Sequence, residues 1–229
     1  MMTLTKFGIR EWGTALILTA AIETGCWYLV FRKGMTGIGW GIGIAAFIIF
    51  LALAAFFRNP YRKITKDPRQ LVSPADGLVK DIEKVTDFTI PPFTGEAYRI
   101  GIFLSVLNVH VNRAPADLEV ETNNYRKGEF LDARHPECGK RNEAQTIAGT
   151  ANADGHRFPM AVRQISGAIA RRIVCPVAPG RKLAKGEIYG MIKFGSRTEL
   201  YLPCDRFDIN VKIGDKVKGG STIIATLKD

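Results

Sequence analysis

From Gly37 to Phe57 the chain reads GIGWGIGIAAFIIFLALAAFF, 21 residues with neither charge nor proline. At about 1.5 Å per residue, a helix of that length matches the roughly 30 Å hydrocarbon layer of a bilayer. Core helices of soluble domains are usually shorter and keep a polar stripe, so the segment predicts a membrane span. A second apolar stretch, Thr14 to Phe31, precedes it and carries a single charge, Glu23. A mid-span carboxylate costs about 2.5–3.5 kcal/mol on insertion scales, less when protonated or turned toward a partner. We read residues 1–57 as a membrane anchor made of a helical hairpin. The other setting for its first helix is along the interface, with Trp12, Trp27 and Tyr28 at headgroup depth. Gly37/Gly41 and Gly39/Gly43 are spaced for close helix approach, lipid-facing glycines being the equal alternative. The densest basic cluster (Arg58, Arg62, Lys63, Lys66) follows the second span. By the positive-inside tendency this puts residues 58–229 on the cytoplasmic face of the cell membrane.

Charge then narrows the partners. Thirty-two Lys and Arg against 22 Asp and Glu give a net charge of +10. The anchor holds four basic and two acidic residues, so +8 remains on residues 58–229. Tethered beside a bilayer, such a domain is drawn to an anionic membrane surface. No helix-turn-helix, zinc-finger or aromatic-basic RNA motif is present, so no nucleic-acid partner is expected. Cys26, Cys138, Cys175 and Cys204 are widely spaced, without a Cys-x-x-Cys pair. Reduced thiols and no metal site follow.

Beyond the linker FFRNPYRKITKDP, short β-branched runs alternate with turn signals: YRIGIFL, NVHVNRAP, DLEVE, ARRIVCPV, TELYLP and FDINVKI among them. Turns are expected at residues 74–77, 178–180 and 213–215, and only Asn142 to Ile147 hints at a helix. The fold class is therefore mainly β (α+β), with a transmembrane helical hairpin in front of a β-rich domain. One pattern recurs: Val177-x-x-Gly180-x-Lys182-Leu183-x-x-Gly186 returns 34 residues later as Val211-x-x-Gly214-x-Lys216-Val217-x-x-Gly220. The two copies resemble the halves of a biotinyl/lipoyl-type flattened barrel. Neither offers a modifiable lysine in a Met-Lys-Met or Asp-Lys-Ala setting, so the repeat reads as scaffold.

Between the copies lies GMIKFGSRTELYLP, residues 190–203. Here Gly195-Ser196 separates two apolar runs where a serine has no packing role. In a distorted turn, Ser196 Oγ can attack the Gly195 carbonyl carbon and turn the amide into an ester. Glycine admits backbone angles closed to other residues and leaves that carbonyl unhindered. Elimination would leave dehydroalanine, and hydrolysis would leave a pyruvoyl group capping the new chain. An isolated Gly-Ser pair is more often an ordinary turn.

This pair is not isolated. Phe194-Gly195-Ser196-Arg197 followed by Tyr201-Leu202-Pro203 resembles the processing site of phosphatidylserine decarboxylase proenzymes of the short prokaryotic type. Phe57-Arg58-Asn59-Pro60 resembles that family's lead-in to its catalytic domain. Ser73-Pro74-Ala75-Asp76-Gly77, Ser105-x-x-Asn108-Val109-His110-Val111-Asn112-Arg113-x-Pro115, Asn142-Glu143 and Gln164-x-x-Gly167 follow in the family's order. The match runs over about residues 56–228. Larger relatives have Leu-Gly-Ser-Thr or Gly-Gly-Ser-Thr at the cleavage site, and two histidines three apart where this chain has His110 and then Arg113.

The resemblance implies cleavage between Gly195 and Ser196 into a large chain, 1–195, and a small chain, 196–229, paired as a heterodimer. The homo-oligomeric state is left open. Ser196 would supply the pyruvoyl cofactor, which forms a Schiff base with the serine amine of the phospholipid substrate and accepts the electrons left by CO2. His110 would be the proton carrier for processing and decarboxylation, with Asp76 orienting it. Arg113, Arg126, Lys140 and Arg141 are basic candidates for the lipid phosphate. His135 and His156, in polar sequence, are expected in solvent. Archaetidylserine would serve the same chemistry. A membrane-tethered β-barrel carrier or adaptor that never cleaves itself is the rival from another class.

Overall fold

The computed structural model describes residues 2–168, 172–193 and 195–228, in two compact units, Met1–Tyr61 and Arg62–Asp229. In the first, α1 (Ile9–Lys33) ends at Gly34, whose left-handed φ of 67° closes the helix onto Leu29 O. The second helix, α2 (Thr36–Phe56), returns beside it. Both are long and apolar enough to cross a membrane, and most of their apolar side chains are exposed. The two glycine pairs separate. A Cβ on Gly39 would meet Val30 and Cys26 of α1, and one on Gly43 would meet the Glu23 carboxylate, while Gly37 and Gly41 have nothing within 4 Å. Gly39/Gly43 is thus the close-approach seam, and the carboxylate of Glu23 reaches it. Strands β1 (Met2–Leu4) and β2 (Arg58–Pro60) pair, so the stretch after Phe57 belongs to this unit.

The second unit is built from β3 (Gln70–Val72), β4 (Gly77–Ile90), β5 (Phe93–Leu104), β6 (Val111–Arg113), β7 (Asp117–Arg126), β8 (Ala144–Ala153), β9 (His156–Ser166), β10 (Arg172–Val174), β11 (Lys182–Leu183), β12 (Ile188–Lys193), β13 (Ser196–Pro203), β14 (Phe207–Ile209), β15 (Lys216–Val217) and β16 (Ile223–Leu227). Eight of these form one antiparallel sheet, β11-β7-β8-β9-β13-β5-β4-β15, curled into a half-barrel. Two three-stranded sheets, β10-β12-β6 and β14-β16-β3, complete the unit. The main core lies on one face of the large sheet, where Leu71, Ile100, Leu118, Phe158, Leu200 and Leu202 are buried together.

The helix hinted at Asn142–Ile147 is a strand from Ala144 onward. Its small and β-branched residues are sandwiched between β7 and β9, and pairing on both edges overrides the weak local preference. A single helical turn, α3 (Cys138–Arg141), lies just before it.

The 34-residue repeat acquires a spatial meaning. Its copies supply β11 and β15, the two opposite edges of the eight-stranded sheet. Gly180 and Gly214 turn with φ of 85° and 95°, and donate to Val120 O and Val79 O respectively. The strands they grip are themselves related, reading Ser73-Pro74-Ala75-Asp76-x-x-Val79 and Ala114-Pro115-Ala116-Asp117-x-x-Val120, 41 residues apart. The equivalent hydrogen bonds Gly180 N to Val120 O and Gly214 N to Val79 O relate the two copies of this second repeat.

Candidate active site

Strand β13 is central to the large sheet, held between β5 and β9 with Ser196 opposite Leu104 and Ser166. Alternation along β13 sends Thr198, Leu200 and Leu202 to the core face with Ser196, and Arg197, Glu199 and Tyr201 to the other. Ser196 is wholly buried, and its Oγ has no hydrogen-bond partner among the described residues. A buried, unpartnered hydroxyl is costly by about 1–3 kcal/mol, the kind of defect that clusters at functional sites.

The residue before it, Gly195, sits at φ +64°, a left-handed angle that favours glycine. Its N–H donates to His110 Nε2 at 3.2 Å. That bond makes Nε2 the acceptor nitrogen, so in the neutral ring the proton is on Nδ1, which faces the Asn108 carbonyl at 2.9 Å. His110 is fully buried and lies immediately before β6. On the other side, a Cβ added to Gly167 would lie 2.4 Å from the Gly195 carbonyl oxygen. Glycine at 167 thus lets the end of β9 approach the Gly195 carbonyl closely. Phe194, the first residue of the expected motif, lies outside the described residues.

Buried amides fix this geometry. Gln164 Nε2 donates to Asn112 Oδ1 at 2.8 Å, and Asn112 Nδ2 donates to Thr198 Oγ1 at 2.9 Å. These bonds fasten β6, and with it His110, across β9 and β13. Asn142 Nδ2 donates to Ser166 O and Leu131 O, both at 2.8 Å, tying residues 131–142 to the end of β9. Each such bond contributes about 1 kcal/mol net.

The opposite face of β13 carries a buried ionic network. Arg197 grips Asp81 with two bonds of 2.6 and 2.7 Å and reaches Glu199 at 2.9 Å. Burial opposes the charge on Arg197, yet the Asp81 and Glu199 carboxylates hold its pKa above the ordinary arginine value. Tyr201 donates to Glu199 at 2.6 Å, stacks on Phe88, and is pushed up first by burial and then by the Glu199 charge. The residue after Ser196 is therefore clamped, which a sequence pattern of Arg-x-Glu alone does not announce.

Asp76 is placed differently from His110. Its Oδ1 accepts from Gly219 N at 2.8 Å and its Oδ2 pairs with Arg62 at 2.6 Å. Arg113, its pKa lowered first by burial and then by Arg62, feels the Asp76 charge as a counterweight. The repeat-related Asp117 accepts from Lys185 N in the same way, 34 residues before Gly219. Asp76 reaches the histidine's strand through its own turn, where Pro74 O accepts from Arg113 N. The site thus brings His110, Gly195 and Ser196 together and sets Asp76 in the adjoining turn.

The sequence of this chain matches the family model described as phosphatidylserine decarboxylase over residues 49–225. The chain belongs to the phosphatidylserine decarboxylase family. Proteins named phosphatidylserine decarboxylase proenzyme are its relatives. The one from Carboxydothermus hydrogenoformans is 43% identical, over 89% of this chain and 95% of the relative. Those from Rhodopirellula baltica and Aromatoleum aromaticum are 43% and 39% identical, covering 81% and 85% of this chain and 76% and 86% of the relatives.

In this phosphatidylserine decarboxylase family member the basic candidates are already engaged by protein groups. Arg113 donates to Gly186 O, Arg126 to Gly139 O and Asn142 O, Arg141 to Glu129, and Lys140 lies 4.0 Å from Glu137. His135 and His156 are exposed, as expected. Asn108, which sets the His110 tautomer, and Gly167, which makes room for the Gly195 carbonyl, gained roles only from the folded geometry.

Proposed function

We propose that the chain is a self-cleaving, pyruvoyl-dependent decarboxylase that converts phosphatidylserine to phosphatidylethanolamine and CO2 at the cytoplasmic face of a membrane. The single observation that carries this reading is the buried, unpartnered Ser196 Oγ, directly after a glycine at φ +64° whose amide is held by His110. The proenzyme names of the relatives support both the substrate and the precursor status. A pyruvoyl group made from Ser196 fits the space, since its precursor hydroxyl has no partner to lose and Gly167 leaves the adjoining carbonyl uncrowded.

In this reading His110 takes the Ser196 hydroxyl proton on Nε2 as Oγ attacks the Gly195 carbonyl, and returns a proton to the departing nitrogen. Asn108 holds Nδ1–H throughout, and Asp76 keeps the Ser73–Asp76 turn, hence β6, in place. Once formed, the pyruvoyl group supplies the ketone electron sink for decarboxylation. His110 then delivers a proton to the carbon that has lost CO2. The fragment 196–229 stays with 1–195 as a heterodimer because β13 remains paired on both edges, with β5 and β9. The repeat-related edges support a frame of the biotinyl/lipoyl kind.

Denaturing mass spectrometry tests the proposal. Active material is expected to contain a fragment beginning at residue 196, blocked at its N-terminus and lighter than the serine form by one ammonia. Ser196→Ala is expected to stay a single inactive chain. A wholly intact chain from catalytically competent protein would overturn the reading.

A further inference from the structure

The turn that holds His110 has an unexpected tip. Asn108 N donates to Ser105 O at 2.9 Å, while Asn108 Oδ1 accepts from both Ser105 N and Ser105 Oγ at 2.9 and 2.8 Å. This closes a rigid four-residue turn whose two middle residues are Val106 and Leu107. Turn tips usually carry Gly, Pro, Asn or Asp. Here they are apolar and directed outward, Leu107 being 80% and Val106 46% exposed. The same Asn108 whose side chain clamps the turn presents its carbonyl to His110 Nδ1. Tip and catalytic ring are therefore one rigid piece.

The tip also borders the bond to be cleaved. Val106 Cγ1 is the atom nearest to a Cβ built on Gly195, at 3.9 Å. Ala133 lies 3.3 Å from the equivalent position on Gly167, and Phe130 in the same segment is 40% exposed. Among the described residues of this unit five large apolar side chains are exposed, and three of them, Val106, Leu107 and Phe130, stand on these two loops. Adjacent exposed apolar residues such as Val106 and Leu107 mark an interaction surface, whereas scattered single residues do not. The domain that carries the tip is basic, with a net charge of +8 over residues 58–229, and Arg172 at the end of β10, the register partner of the buried Lys193 two residues before Gly195, is exposed.

We propose that the Ser105–Asn108 turn is a membrane-penetrating element: Val106 and Leu107 enter the headgroup–acyl boundary of an anionic bilayer and carry His110 and residue 196 to headgroup level. An exposed apolar tip on a basic domain is the chemistry of interfacial binding to an anionic bilayer. A lipid surface fits better than a protein partner because the substrate class is itself embedded there; this clause rests on the function proposed above. Anchoring alone keeps the domain near the membrane, and the turn would seat its site on it.

The test uses the full chain reconstituted in vesicles of phosphatidylcholine and phosphatidylserine. A Leu107→Cys variant labelled with an environment-sensitive fluorophore, with the label-treated parent as background, is expected to show blue-shifted emission quenched by lipids spin-labelled near the headgroup. In parallel, Leu107→Asp is expected to lower the ratio of turnover on vesicle substrate to turnover on short-chain, monomeric phosphatidylserine by about tenfold. An aqueous, unquenched label, or an unchanged ratio, would overturn the inference. Self-cleavage of each variant reports that it folds. Failure of the parent chain to decarboxylate either substrate would refute the proposed function instead, so the two failures are distinct.

Discussion

Gly167→Ala isolates the geometry on which the proposed self-cleavage depends. The substitution adds one methyl group at a position whose φ is not left-handed, so its backbone accepts alanine without strain. The added Cβ would sit 2.4 Å from the Gly195 carbonyl oxygen and 3.2 Å from its carbon. A comfortable carbon–oxygen contact is about 3.3 Å, so the scissile carbonyl must retreat by about 1 Å. A misplacement of that size costs reactions that depend on near-attack geometry about a hundredfold, or about 2.7 kcal/mol in the barrier. Overpacking adds a stability cost of about 1–3 kcal/mol, which a paired central sheet can absorb. The assay follows conversion of full-length precursor to the 1–195 and 196–229 fragments by denaturing mass spectrometry after a synthesis pulse, with thermal unfolding measured alongside. The expected result is a folded precursor that cleaves about a hundred times more slowly than the parent. Cleavage at the parental rate in a folded protein would show that Gly167 does not govern the approach to the carbonyl.

Two further outcomes are expected. Asp81→Ala removes the bidentate partner of the buried Arg197, and breaking such a pair costs about 3 kcal/mol; in a Ser196→Ala precursor background Tm is expected to fall by about 6–12 °C, and a shift under 2 °C would deny the network its structural role. Burial pushes the Cys175 thiol up to about 11 from 9.0, so the native state holds its proton and stability should decline as pH rises from 9 to 11; at pH 8 mass mapping is expected to find it alkylated by iodoacetamide far more slowly than a free thiol, and rapid stoichiometric labelling would contradict that.

Much was legible in one dimension because the signals are local or periodic. The uncharged run at 37–57 and the lone Glu23 in the stretch before it announce two helices by length and hydropathy, and alternating runs announce a β-rich remainder. Gly195-Ser196 could be singled out because the chemistry joins neighbouring residues. The strand at Ala144–Ala153 was less legible, since small residues carry little preference until neighbours on both edges take up their hydrogen bonds. The second repeat escaped because only a few letters recur across 41 residues, and its meaning lies in which backbone groups it pairs.

By itself the sequence determined that the chain has two apolar helical stretches, a basic β-rich domain and a serine directly after a glycine, because those properties depend on side-chain chemistry and spacing along one backbone. Only the tertiary structure decided that His110 grips the Gly195 amide, that Gly167 clears space for the carbonyl, and that Asp76 braces a neighbouring turn. Those relations join residues 28 to 143 positions apart, and no local preference encodes a contact that exists only once the sheet has closed.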